Sequence, residues 1–325
     1  MKKNISLSSF GKVLSNNGAL IALLILLFAG SILFDTFLTT LNIVNILRQS
    51  SYMAIMAVGM TFVILTGGID LSVSSVFGLA GVMAGLVCEN VTDNIFALVF
   101  IPLAGCAAIG LLNGLIVTKL RITPFIATLA VMMGIQGAGL MLSDGGRAIS
   151  IRSERFAVIA RGNVFGIPVP LIILIFVLVA AMFVAKYTVY GRSCYAVGGN
   201  ADAAVAKGIN VNKTKIITYT LCATLAGIAG LIIGARSGVG KINVGAGTEM
   251  DVIAAVVIGG TLLSGGVGKV LNSVFGMIII TVIGNLITKG NFSFMWQSAI
   301  TGVLLIVILI IQSIQIKSGK ALAKK

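Results

Sequence analysis

The sequence contains no histidine at all. That absence excludes histidine-based acid–base chemistry, histidine–metal sites and Ser–His–Asp triads together. Charge is also scarce. Only 10% of the 325 residues are Asp, Glu, Lys or Arg, whereas soluble domains carry roughly 25%, so the chain is not mainly soluble. The four cysteines, Cys88, Cys106, Cys194 and Cys222, are scattered and imply no disulfide framework.

What is present is apolar. Hydrophobic residues make up 58% of the chain, and the mean hydropathy is +1.11. A transmembrane helix needs about 20 apolar residues. Candidate spans lie at about 18–37, 50–66, 72–88, 95–118, 123–142, 170–186, 214–235, 251–264, 270–288 and 294–316. The expected architecture is an all-α, polytopic transmembrane bundle of about ten spans. Two candidates, 50–66 and 251–264, are short. Each is followed by a Gly-Gly pair and another apolar run, so one of each set reads as a broken or partly re-entrant helix.

The net charge of +14 invites a nucleic-acid partner, but its distribution argues for a bilayer instead. With the N-terminus inside, the inner loops hold fifteen of the 23 basic residues and only Asp70 and Asp202 of the nine acids. This is the positive-inside pattern, and it predicts both termini in the cytoplasm. Arg147, Arg152, Arg155 and Arg161 fall in one long outer loop, where that rule has little force. The first 37 residues begin like a signal peptide, yet the apolar run resumes after Ala29-Gly30-Ser31 with no clear cleavage site. They read as an uncleaved first span.

No soluble domain is expected. The longest polar connections are 143–169 and 236–250 outside and 187–213 inside. Thr123 as cap and Pro124 in the first turn predict where the fifth span begins. Gly67-Gly68 and Ser75 to Gly78 recur as Gly265-Gly266 and Ser273 to Gly276, an arrangement that fits either a duplicated half or shared membrane composition. Small residues four apart, such as Gly81 and Gly85 or Ala226, Gly230 and Gly234, predict close helix packing.

The inner segment 195–211 has an ordered polar logic. Asn200 can cap a short helix starting at Ala201, with Asp202 near its positive end and Lys207 near its negative end. Gly208 is a natural stop. The exposed face is expected to be Ala203, Ala204 and Lys207, small enough to enter a partner's groove. A simple connector is the bland alternative. Gly265-Gly266-Val267-Gly268-Lys269 fails as a phosphate loop, because Leu263 stands where glycine is needed and Val270 where Ser or Thr is needed. Asp70 reads as a helix cap or as a polar gate at the inner mouth. Thr248 and Asp251 read as a capping box. Tyr52, Tyr187, Tyr190 and Trp296 read as interfacial aromatics. Phe62, Phe77 and Phe125 read as packing or as the wall of a sugar path.

Four blocks carry a family resemblance. Gly198-Gly199-Asn200, then Ala203-Ala204, then Gly208-Ile209-Asn210-Val211 form the first. Ala57 to Val73, Glu249 to Gly260 with Ser264 to Gly268, and Thr123 to Leu129 form the others. Together they resemble permease subunits of bacterial monosaccharide ABC importers, the ribose, xylose, arabinose and galactoside group. The likeness implies a subunit of the cell inner membrane with no cofactor and no catalytic chemistry. It implies three kinds of partner: a cytoplasmic ABC ATPase, a periplasmic or lipid-anchored sugar-binding protein, and a second permease, identical or paralogous. It makes 195–211 the ATPase-coupling segment, through Gly198, Gly199, Asn200, Ala203, Ala204, Gly208, Ile209 and Asn210. Thr66, Gly67, Gly68, Asp70, Ser72, Phe125, Gly265 and Gly266 are candidates for gate or pathway. The rival class is a gradient-driven secondary sugar transporter. Such carriers place ionisable residues inside the bilayer, and the expected span interiors hold none.

Overall fold

The computed structural model describes residues 18–293 and 295–317. The basic N-terminal tail and the last eight residues lie outside these, and with them both chain ends of the topology expectation. The described chain is an all-α bundle: α1 (Gly18–Leu33), α2 (Thr40–Leu65), α3 (Val73–Asn90), α4 (Ile95–Lys119), α5 (Pro124–Leu142), α6 (Glu154–Arg161), α7 (Val169–Tyr187), α8 (Val189–Gly199), α9 (Ala201–Ala206), α10 (Val211–Ser237), α11 (Thr248–Ile258), α12 (Val270–Lys289) and α13 (Met295–Lys317). Among the described residues, seven helices are long and apolar enough to cross a membrane: α3, α4, α5, α7, α10, α12 and α13.

The two short candidate spans resolve differently. The first, expected at 50–66, is the C-terminal part of the 26-residue α2. Its first part, residues 40–49, escaped the hydropathy reading because Asn42, Asn45, Arg48 and Gln49 interrupt the apolar run, and Ser50 and Ser51 follow directly. Asn42, Ser50 and Ser51 are buried. The serine hydroxyls donate to the Leu47 carbonyl, and the Asn42 amide donates to the Phe37 carbonyl at 2.8 Å. Polar side chains bonded this way sit inside a bundle at little cost. The second, expected at 251–264, is an 11-residue helix that stops at Gly259. At about 1.5 Å per residue it reaches about half of a 30 Å hydrocarbon layer. Its continuation to residue 269 is non-helical, with Gly260, Gly265 and Gly266 in the left-handed region.

The connection 236–250 is seated through Gly240, Ile242 and Gly245, which are buried, while Lys241, Asn243 and Val244 between them are exposed. Its backbone descends along α3, with Gly240 against Gly81, Ile242 against Gly78 and Gly245 against Ser74. β1 (Ile149–Ser150) of the long 143–169 connection pairs antiparallel with β4 (Val239–Gly240), with Ile149 opposite Gly240. A second small hairpin joins β2 (Asn163–Val164) to β3 (Ile167–Pro168). Irregular backbone at membrane depth is tolerated where protein surrounds it or where it borders a cavity. α11 then starts from Gly247, in the left-handed region, and the Thr248 hydroxyl donates back to the Gly245 carbonyl at 2.6 Å. The capping box expected from Thr248 and Asp251 is therefore not formed.

α2 is the central helix; its residues from Ala54 to Leu65 are all buried. α10 packs on α3, α4 and α2. The small-residue stripe makes this possible: a side chain at Gly230 would strike the Phe77 carbonyl, and a Cβ on Gly234 would lie 3.4 Å from the Gly81 Cα. Tyr52, expected at an interface, is instead buried and stacked on Phe77 with ring centroids 6.2 Å apart. Tyr190 likewise turns inward, its hydroxyl 2.9 Å from that of Thr218, while Tyr187 and Trp296 are exposed. α5 starts at Pro124 as expected, but the Thr123 side chain makes no capping bond. All four cysteines are free.

Candidate functional site

Local chemistry builds α9. The Asn200 side chain accepts from the Ala203 amide at 2.9 Å, satisfying a donor that the first helical turn leaves open. Asp202 lies in that first turn. Gly208, at φ +79°, ends the segment and bonds back to Val205 at 2.9 Å. The chain reverses there, so the Ile209 amide reaches the Ala204 carbonyl at 3.0 Å. Asn210 then caps α10 by accepting from Lys213 at 2.9 Å. This reversal corrects one expectation. Ala204 is 3% exposed and belongs to the segment's own packing, not to its outer face. The outer face carries Ala203, Val205 and Lys207.

Three glycine pairs meet beneath α9. Gly198 closes α8, and a side chain there would strike the Leu65 carbonyl and come within 2.5 Å of the Gly266 nitrogen. The Gly266 amide donates to that same Leu65 carbonyl at 2.9 Å. A Cβ on Gly265 would lie 2.9 Å from the Gly67 nitrogen and 3.0 Å from the Gly198 Cα. Tyr195 adds a tie, donating to the Gly268 carbonyl at 3.1 Å. Gly199 faces open space. The links α2–α3 and α11–α12, the two copies of the possible repeat, are thus both held against the end of α8. Both copies fold as helix, Gly-Gly link, helix.

A buried polar cluster adjoins the junction. Asp70 is fully buried, and its Oδ1 accepts from the Ser72 amide at 3.0 Å and from the Ser72 hydroxyl at 2.6 Å. The Asn113 amide donates to the Ser72 hydroxyl at 2.7 Å. Ser72, not Asp70, holds the N-cap position of α3; Asp70 braces the turn before it. Asp70 Oδ2 and Asn113 Oδ1 are buried without a hydrogen-bond partner among the described residues. Burial pushes the Asp70 carboxyl up to about 6, with the Ser72 hydrogen bonds pulling partly the other way. The Leu71 amide donates to Thr128 at 3.1 Å, and the Tyr219 hydroxyl donates to the Ile69 carbonyl at 3.4 Å.

The expected gate and pathway residues therefore divide. Thr66, Gly67, Gly68, Asp70, Ser72, Gly265 and Gly266 share one end of the bundle. Phe125, at the start of α5, is 51% exposed on the surface of this protomer and stands outside the cluster. Asn113, Thr128 and Tyr219 were not expected. A lone asparagine in the apolar run of α4 was the available signal, since an amide in such a span needs a partner. Asp70 lies in the α2–α3 link, outside the expected span interiors, and is nonetheless fully buried.

Residues 42–309 match the family described as branched-chain amino acid transport system / permease component. The chain belongs to that permease family. It is similar to the ribose import permease protein RbsC of Escherichia coli (strain K12), 40% identical over 298 residues, covering 91% of this chain and 92% of that one. It is 33% identical over 298 residues to the L-arabinose transport system permease protein AraH of the same strain, covering 92% and 90%. It is 37% identical over 287 residues to the inner membrane ABC transporter permease protein YjfF, again of that strain, covering 86% of each. No solved structure matches the chain. The permease is a multi-pass protein of the cell membrane, and these likenesses place it with ABC importers rather than with gradient-driven carriers.

Proposed function

We propose that this permease passes a neutral monosaccharide, ribose or a related sugar, from a periplasmic or lipid-anchored binding protein into the cytoplasm. The observation that carries the sugar is the 40% identity, over nine-tenths of the chain, to a ribose import permease. In this reading the spans number about ten, with α11 and its non-helical continuation counted as one broken crossing. Both termini and α9 face the cytoplasm. A second permease, identical or paralogous, completes the pathway.

The segment 195–211 receives the ATPase. Closure of the ATPase pushes α9, and α8 carries the push to Gly198. The contacts of Gly198 with Leu65 and Gly266 are what support this route. Movement there bears on both Gly-Gly links at once, and the Asp70 cluster, with Thr66 and Ser72 beside it, lies where a cytoplasmic gate would open. The permease supplies no ATP site of its own, since no phosphate-loop spacing occurs in its sequence. Proteoliposomes test the reading. The permease alone should neither hydrolyse ATP nor accumulate D-ribose. With its ATPase and binding protein it should do both. Uphill uptake by the lone subunit that collapses with the proton or sodium gradient would contradict it.

A further inference from the structure

A half-open hollow of about 130 Å³ lies among α2, α3, α10, α11, α12 and α13, close in size to the roughly 150 Å³ cavity that holds one benzene ring. Its polar groups come from different helices: Gln49 of α2, Asp251 at the start of the half-helix α11, Thr281 of α12 and Gln297 of α13. The stacked rings of Tyr52 and Phe77 form part of its wall. Thr248 also lines it, the remaining lining is apolar, and none of the lining residues is basic.

The chemistry of this set is specific. A carboxylate accepts from two hydroxyls, and a carboxamide both donates and accepts. One acid and two amides therefore suit a molecule bearing several hydroxyls that each donate and accept. Aromatic faces suit the C–H side of a sugar ring. The one charged residue of the lining is Asp251, and its carboxylate disfavours phosphorylated and acidic sugars; Arg236 reaches the Tyr52 hydroxyl but is not in the lining. Gln297 is 8% exposed and Tyr52 7%, so both are held by packing and present formed surfaces. The half-helix borders the hollow: Val244, just before α11, and Thr248 and Asp251 of its first turn line it.

We infer that this hollow, bounded by Gln49, Tyr52, Phe77, Asp251, Thr281 and Gln297, is a binding site for a neutral polyhydroxyl ligand in transit, an uncharged monosaccharide. The inference rests on the proposed sugar-import function and assigns that function its contact residues. None of them belongs to the ATPase-coupling segment or to the glycine junction.

The complete transporter in proteoliposomes tests it, with D-ribose uptake and ATP hydrolysis measured together. Asp251→Asn and Gln49→Met should each lower uptake about tenfold, the usual effect of one lost hydrogen bond to a charged or buried polar group. Hydrolysis stimulated by the loaded binding protein should persist. Thr281→Val removes one hydroxyl at constant volume, and its own bond runs only to the Met277 carbonyl of the same helix; it should assemble normally and show a smaller uptake defect. Normal uptake in Asp251→Asn and Gln49→Met would overturn the site and leave the import function standing. Failure of Thr281→Val to assemble would make the hollow a packing element and overturn the site as well. Absence of ATP-driven D-ribose uptake by the unaltered transporter would instead remove the sugar-import reading. Uptake of L-leucine, lost in the same variants, would overturn the polyhydroxyl assignment in favour of an amino acid.

Discussion

The Gly266 amide donates to the Leu65 carbonyl at 2.9 Å, joining two links that are about 200 residues apart in sequence. Leu65 is the last residue of α2, and its carbonyl is one that a helix end leaves open. Gly266 satisfies it. The α2 terminus and the α11–α12 link therefore move together, and Gly198 is packed against both.

Gly208 provides a first prediction. Its φ of +79° with nothing near its Cα isolates backbone strain from crowding. Gly208→Val should destabilise the 195–211 fold by roughly 1–2 kcal/mol. Gly208→Asn, which tolerates that region, should cost much less. Limited proteolysis of the purified permease between residues 195 and 215, compared across the two variants, measures the difference. Equal protection in both would show that the left-handed turn is not needed.

The outer face of α9 provides the second. Ala203 is exposed, and Ala204 is not. Ala203→Arg should leave the permease folded but weaken ATPase association, because an arginine buried unpaired in a groove shaped for alanine costs several kcal/mol. Ala204→Arg should instead disturb the permease itself. Co-purification with the ATPase, alongside thermal unfolding of the lone subunit, separates the two. An unchanged yield of complex with Ala203→Arg would place the docking contact elsewhere.

Asp70 provides the third. Its carboxyl is raised from 3.8 to about 6 by burial. Between those values the folded protein holds a proton that the unfolded chain has released, so stability falls as pH rises through that window and levels off above it. Asp70→Asn keeps an acceptor for Ser72, adds a donor on the side of the unpartnered Oδ2, and should flatten this dependence. Asp70→Leu strands the Ser72 amide and should destabilise at every pH. Thermal unfolding in detergent across about pH 4 to about 7 reads all three slopes. An unaltered slope in Asp70→Asn would show that another group sets it.

Where order is local, it was legible in the amino-acid sequence. Asn200 and Gly208 bound α9 because a cap and a left-handed stop act within a few residues. Pro124 fixed the start of α5 for the same reason. The four blocks that resemble sugar permeases pointed to the family that the whole-chain matches establish.

What depended on tertiary partners was not legible. Tyr52 looked interfacial because an aromatic near a span end usually is; its stacking on Phe77 needs α3 in place. The seat of residues 239–245 on α3 was not legible, because nothing in their composition shows that Gly78 and Gly81 offer a bed. α2 was cut short because hydropathy counts Asn42, Asn45, Arg48 and Gln49 as polar, although Asn42 is buried and bonded to the Phe37 carbonyl. Asn113 meets Ser72 across 41 residues, and no periodicity marks that contact.

The route from α9 to the Gly-Gly links is the central claim, and a pair of alanine variants tests it most directly. At Gly198 a methyl group would strike the Leu65 carbonyl and crowd the Gly266 nitrogen, while at Gly199 it would meet nothing within 4 Å. In proteoliposomes carrying the complete transporter, sugar uptake per ATP hydrolysed should fall sharply in Gly198→Ala, with hydrolysis retained, and stay normal in Gly199→Ala. Equal coupling ratios in the two variants, with the complex intact, would contradict the account.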